Sequence, residues 1–355
     1  MKFRKNTEKK LKSKGIVNRL LALITLILML SASLLSCNEQ KKITPKSRVY
    51  YEYFNTDLCT IYDYSGKSDE EFRQVYLHFE DRLNYYHKLF DIYHEYEGVN
   101  NLATVNRLAG QSAVKVDKEL INFLEYAKEI YTLTDGYVNV AMGSVLSLWR
   151  EARNNQVRIP TAEELSEANL HTDISNLVID REASTVYLSD PETSLDVGAL
   201  AKGYTAERIA QSLMSRGISS YVLDLGGNLR IIGTKVDGGG WKTGVKNPDL
   251  NSSKKYVYEM TISDTSMVTS GDYWRNAVID GVKYHHIINK DTLMPADYFS
   301  SVTVVTKDSG LADALSTALF SMSYDAGVAL IDEIGDVSAI WVTPEGEVLT
   351  HGINE

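Results

Sequence analysis

The chain has almost no cysteine: its 355 residues include two, Cys37 and Cys59. Cys37 follows Leu34-Leu35-Ser36, the spacing of a bacterial lipobox, and a lipid on that sulfur leaves Cys59 without a partner. An intramolecular disulfide is then excluded even in an oxidising compartment, so stability must come from a hydrophobic core. No P-loop and no GxGxxG spacing is present, which removes two familiar glycine-loop signatures of nucleotide binding. There is no internal repeat and no low-complexity tract. The one long apolar run, Leu20 to Leu30, is too short for a comfortable membrane span. Basic residues gather at the N-terminus. Residues 1–36 hold eight of the 37 Lys and Arg and one of the 47 Asp and Glu, so the remainder carries a net charge of −17. That charge argues against nucleic acid as a partner and against electrostatic docking on anionic lipid. An anionic ligand would need local positive charge or a metal.

The N-terminus has the layout of a secretory leader. A basic region over 2–19, a short apolar core and small residues before Cys37 predict a lipoprotein signal peptide, 1–36, cut before Cys37. Residues 37–48 are polar and non-periodic and read as a tether, with a folded domain from 49 to 355. An uncleaved anchor helix is the alternative. Either arrangement puts the domain outside the cytoplasm, and the first anchors it to a membrane through lipid on Cys37.

The densest chemistry lies between Ser194 and Ile232. A short apolar run ends in Asp196, the turn Gly198-Ala199 follows, and Lys202-Gly203 open a helix with Ala206, Ile209, Ala210, Leu213 and Met214 at helical spacing. A strand from Tyr221 to Leu225 runs into Gly226-Gly227, and a second leaves it from Leu229 to Ile232. Helix N-termini offer unpaired N–H groups to a phosphate, and a glycine pair lets a bulky ligand approach main chain. On these residues alone, turn-making glycines and a solvated lysine are an equally open reading.

Elsewhere a strand is expected from Tyr50 to Ile61, then a helix whose face is Phe72, Val75, Tyr76, Phe79, Leu83 and Tyr86. A loop-like run follows over 91–106, then a second helix from about Asp117 to Leu133. Thr161 with Glu164 predicts a capping box on a short helix. Hairpins are expected at 177–188 and 338–349. Strands in hairpins with helices in blocks indicate an α+β fold of mainly antiparallel sheet and packed helices in two closely associated lobes. Residues 310–322 read as a helix with Leu311, Ala314, Leu315, Ala318, Leu319 and Met322 on its buried face. Asp313 and Thr317 sit one turn apart, nearly opposite that stripe. A carboxylate and a hydroxyl so placed suit Mg²⁺, which takes few protein carboxylates and fills its shell with water and phosphate oxygens. A solvated polar face is the alternative.

Four blocks resemble, in order, those of the ApbE-like FAD:protein FMN transferases. They are TDGYVNVAMG (134–143), LDVGALAKGY (195–204) with YVLDLGGNLRIIG (221–233), YHHIINKDTLMPAD (284–297) and SVTVVTKDSGLADALSTALFSM (301–322). FNTDLCTI (54–61) is a weaker fifth. The resemblance implies FAD contacts at Asn55, Tyr93, Tyr137, Val138, Asn139, Asp196, Lys202 and Ile288. It implies Mg²⁺ held by Asp313, Thr317 and the Ala199 carbonyl, and His286 as general base. The resemblance likewise implies FAD as substrate, with a threonine hydroxyl of an acceptor protein, in this family often a membrane electron-transfer subunit, taking FMN as AMP departs. Where the family pattern reads HIIDPxTGxP, this chain has Asn289, Lys290 and Leu293, and Asn139 stands where an Asp is usual. A Mg²⁺-dependent FAD pyrophosphatase and a non-catalytic FAD-binding lipoprotein remain open beside the transferase.

Overall fold

Alternating apolar residues in short strands build one large antiparallel sheet, and helical blocks cover one of its faces. The computed structural model describes residues 43–353 apart from 55, 57 and 274. The leader, Cys37, the tether up to residue 42 and Asn55 lie outside the described residues. From Thr44 onward the chain forms one compact unit.

The elements begin with β1 (Lys46–Tyr50), β2 (Cys59–Asp63), α1 (Asp69–Phe90), α2 (Leu102–Arg107), β3 (Val114–Lys115) and α3 (Lys118–Leu133). Next come α4 (Gly143–Asn155), α5 (Ala162–Asn169), β4 (Leu177–Asp180), β5 (Thr185–Leu188), α6 (Ala201–Ser215), β6 (Tyr221–Leu225) and β7 (Asn228–Ile232). Strands β8 (Trp241–Lys246), β9 (Tyr256–Ile262), β10 (Ser266–Gly271), β11 (Ala277–Ile279), β12 (Val282–Tyr284) and β13 (Ser301–Thr306) follow. The chain ends in α7 (Ser309–Phe320), α8 (Tyr324–Ile334), β14 (Ser338–Val342) and β15 (Val348–His351).

The main sheet runs β1-β2-β6-β7-β10-β13-β14-β15, with every pairing antiparallel. A small sheet, β3-β5-β4, and the hairpins β8-β9 and β11-β12 complete the strands. Successive strand residues point to opposite faces, and the core divides accordingly. Leu223, Leu225 and Ile232 face α1, α6 and α7 through Phe79, Ile209 and Leu315. Val222, Ile231, Met267 and Ile340 face the other way and are covered by Trp241, Val245 and Ile262 of β8-β9. Cys59 is buried in β2, and burial pushes its thiol up to about 12, so it is chemically inert.

Three expectations change. The single strand expected over 50–61 is two strands joined by a turn, because Glu52 and Phe54 adopt φ of 67° and 53°, which an extended strand cannot contain. The fold also begins before residue 49: Lys46, Ser47 and Arg48 already pair with Asp63, Tyr62 and Ile61. Helix α7 has no polar solvent face. It lies between the sheet and α6, and all its residues except Leu311 and Thr317 are buried, Asp313 among them. The short α2, the longer α4 and α8 come in addition to the expected helices. The expected capping box holds: Thr161 accepts from Glu164 N while the Glu164 carboxylate accepts from Thr161 N.

Candidate active site

The site begins where α6 and α7 cross. Gly203, in the first turn of α6, has no side chain, and a Cβ there would lie 2.3 Å from Ser309 O and 2.4 Å from Asp313 Cβ. Only glycine permits this approach. Gly203 N donates to Asp313 Oδ2 at 2.8 Å, and Lys202 Nζ stands 3.5 Å from Asp313 Oδ1. The N–H expected to await a phosphate is thus taken by a carboxylate. Lys202 also donates to Asn228 Oδ1 at 2.7 Å, which ties the helix start to β7.

Beside Asp313 lies a group of hydroxyls. Ser270 Oγ is 2.9 Å from Ser316 Oγ and 3.4 Å from Thr317 Oγ1. Asp313, Thr317 and Ser270 form an all-oxygen donor set, the chemistry that a hard cation such as Mg²⁺ selects. Among the described residues no three His, Cys, Asp or Glu gather into a metal-holding group. A metal here would rest on one carboxylate, hydroxyls and main-chain oxygen, and the residues present fit that requirement.

The preceding turn carries Asp196 and Ala199. Asp196 Oδ1 accepts from Gly198 N at 3.0 Å, and Oδ2 accepts from Arg150 Nη1 at 3.1 Å. Arg150 also donates to the Tyr93 hydroxyl at 3.1 Å and lies 5.1 Å from that ring's centroid. Tyr93, 46% exposed, is therefore no core residue but the outer wall of this turn. Gly226, with φ of 66°, is approached by Thr56, whose Oγ1 a Cβ would meet at 2.1 Å. A protein side chain fills that space, and beside Gly227 it is open.

His285 and His286 divide their roles. His285 is buried, edge-on to Phe320, with Nε2 donating to Ala296 O at 2.7 Å and Nδ1 accepting from Ile287 N at 3.2 Å. That pattern fixes one neutral tautomer, a structural histidine. His286 is half-buried, and its Nδ1 is buried without a partner. Burial first, then Arg275, Arg153, His285 and Lys202, push its pKa down to about 3. The apolar run around His286 is not a strand: β12 ends at Tyr284, and beyond it Ile288 makes an isolated bridge to Pro295.

The departures in that segment are compensated locally. Asn289 Oδ1 accepts from Asp291 N and Thr292 N, and its Nδ2 donates to Ser321 O at 2.7 Å, so the amide closes the loop. Leu293, in place of the family's Gly, takes φ of 58°, and its carbonyl accepts from Trp149 Nε1 at 2.7 Å. Ile288 is buried with Met142, Val145 and Trp149 in a separate apolar cluster. Tyr137 donates to Asp291 at 3.2 Å, and Val138 N donates to Thr134 Oγ1. Asn139 is occupied twice, donating to Thr172 O and accepting from Ala141 N, so here its amide shapes the loop.

The structure thus gathers Tyr93, Asp196, Ala199, Lys202, Asp313 and Thr317 on the turn and the helix crossing. Tyr137, Val138, Asn139 and Ile288 belong to the flanking loops. Sequence reasoning misses Arg150, Arg153, Asn228 and Ser270. Two arginines three apart on a helix of so acidic a chain are a signal for the first pair; nothing singles out Ser270.

The family model described as the ApbE family matches residues 59–341. The chain belongs to the ApbE family. An ApbE relative from Treponema pallidum (strain Nichols), an FAD:protein FMN transferase, is 33% identical over 261 residues, covering 70% of this chain and 72% of its own. One of the same name from Klebsiella pneumoniae (strain 342) is 30% identical, covering 69% and 75%. The ApbE protein of Thermotoga maritima MSB8 superposes with a TM-score of 0.77 at 27% identity, over 87% of this chain and 97% of that one. The flavin transferase ApbE from Vibrio cholerae gives 0.72 at 25%, over 87% and 98%.

Proposed function

We propose that this chain is an FAD:protein FMN transferase, moving FMN from FAD to a threonine hydroxyl of an acceptor protein and releasing AMP. The observation that carries the reading is the meeting of Lys202 and Asp313, from two separate sequence blocks, at the crossing of α6 and α7, with Asp196 on the turn just before α6, within a family of that activity.

The acceptor Oγ attacks the FMN-side phosphorus. The bond from that phosphorus to the bridging oxygen breaks, AMP leaves with the electron pair, and the hydroxyl proton goes to His286. Such chemistry depends on positioning and charge neutralisation more than on covalent catalysis. His286 is neutral at physiological pH because burial first, and neighbouring cations second, depress it; the charge of a bound diphosphate offsets the second of these. Lys202 is held by Asn228 and Asp313 in a fixed direction. Mg²⁺ held by Asp313, Thr317 and the Ala199 carbonyl would supply Lewis-acid neutralisation of the diphosphate.

The leader and Cys37 support a lipid-anchored, extracytoplasmic enzyme whose acceptors are membrane electron-transfer subunits. The test incubates the protein with FAD, Mg²⁺ and a threonine-bearing acceptor, following AMP and covalent flavin fluorescence. Equal yields of the two support transfer. AMP without covalent flavin identifies a pyrophosphatase, and FAD binding without AMP identifies a receptor.

A further inference from the structure

Helix α4 contributes a cation, Arg153, that forms no ion pair among the described residues. Arg153 lies four residues after Trp149 and three after Arg150, so it neighbours both along that helix. Trp149 stacks on Tyr284 at 5.6 Å and donates to Leu293 O, which fixes the helix against the segment holding His286. Arg150 binds Asp196 on the turn before α6. Arg153 lies on the side that faces both.

The charges nearby are already matched. Asp196 is taken by Arg150, and Asp313 by Lys202 and Gly203 N. Among the described residues Arg153 has no acid within ion-pair distance, and its Nη1 is buried without a hydrogen-bond partner. Burial, with Arg150 next, lowers its pKa, so this environment is hostile to its charge in the free protein. The buried, unpartnered Nδ1 of His286 feels the same cation. Leaving a buried guanidinium nitrogen without an acceptor is unfavourable unless a ligand completes it.

We propose that Arg153 is a phosphate-binding residue whose counter-ion is the dinucleotide substrate: its guanidinium hydrogen-bonds a phosphate oxygen of the diphosphate. A planar guanidinium suits that role better than an ammonium, because it offers paired donors to two phosphate oxygens. The identity of the ligand rests on the flavin-transfer reading. The presence of an uncompensated cation does not.

The test measures binding apart from transfer. The protein and its Arg153→Met and Arg153→Lys variants are titrated with FAD, AMP and riboflavin, and melted without ligand. Arg153→Met removes a charge-assisted hydrogen bond, so FAD binding should weaken about 10- to 100-fold. AMP should weaken as well if its phosphate is the partner, and riboflavin, lacking phosphate, should be unaffected. Arg153→Lys should recover part of the loss. The ligand-free Met variant should melt at or above the parent, since a buried unpaired charge has gone. Unchanged FAD affinity in Arg153→Met overturns the proposal. So does equal weakening of riboflavin, which would make Arg153 a packing residue. Failure of the parent itself to bind FAD would instead overturn the transferase reading.

Discussion

Gly203 and Asp313 touch across two helices: the glycine N–H donates to the carboxylate at 2.8 Å, and there is no room between them for a methyl group. Gly203→Ala must push α6 from α7, because the atoms in the way include the Ser309 carbonyl. Overpacking of this kind costs about 1–3 kcal/mol, and it displaces the site carboxylate. A lowered melting temperature together with reduced AMP release is expected; a variant with the parent's values would show that the crossing tolerates expansion.

Asp313→Asn keeps an acceptor for Gly203 N but removes the charge beside Lys202. AMP release should nearly vanish at every Mg²⁺ concentration. Because Asp313 is buried, a melt must accompany the assay, and a modest shift is expected. Thr317→Val should be milder and recover as Mg²⁺ rises, as for a change confined to metal affinity. If both variants match the parent across a Mg²⁺ titration, the metal is held elsewhere.

His286 governs part of the acid response. Its pKa is about 3 when folded and about 6.5 when unfolded. Its neutral form therefore supports the fold fully above pH 6.5, and that support drains as pH falls from 6.5 toward 3, where the unfolded chain binds the extra proton. His286→Gln should flatten the fall in stability between pH 7.5 and 5 by about 1–2 kcal/mol. It should also slow transfer by roughly 10²–10⁴-fold with FAD affinity little changed. Parallel pH–melting curves for parent and variant would contradict the first expectation, and native transfer the second.

Arg230 is fully buried, with its Nε 2.8 Å from Glu207 Oε2, and the same oxygen accepts from Ser309 N at 3.1 Å. Glu207→Ala strands that cation and leaves the Ser309 N–H at the start of α7 without its acceptor, although Asp308 still caps the helix, so a loss of about 3–5 kcal/mol is expected in urea unfolding. A loss below about 1 kcal/mol would mean that Asp264, 3.5 Å from Arg230, already balances it.

Cys37→Ala should block labelling by lipid and release the protein from the membrane fraction, while leaving FAD binding intact. Undiminished lipid labelling would rule out the anchor.

What the sequence makes legible follows from range. Helix starts such as Thr161 and the glycine pair at 226–227 are local decisions, readable from neighbouring residues. The α7 residues Asp313 and Thr317 are also locally readable, but their burial is not. Periodicity places a leucine stripe, whereas the enclosure of the opposite side depends on α6 arriving more than a hundred residues away in sequence. The same holds for Arg150, which looks like an ordinary helix-surface residue until Asp196 meets it. Asn289 is the reverse case. Its departure from the family's Asp looks damaging in sequence, yet one amide oxygen accepting two N–H groups closes the loop.

Strands β2 and β6 are neighbours in the sheet, although residues 64–220 separate them. That whole length is an excursion that leaves and re-enters the sheet at one seam, and it delivers Tyr93, Arg150, Arg153 and Asp196. Lys202 arrives on its last helix. His286, Asp313 and Thr317 come from beyond β10. The excursion also carries α1 and α6, which cover one face of the sheet, so closing that seam and building the site are parts of one event. Turnover is then the most demanding report of complete folding, because it requires the excursion and the chain beyond β10 to be in place together.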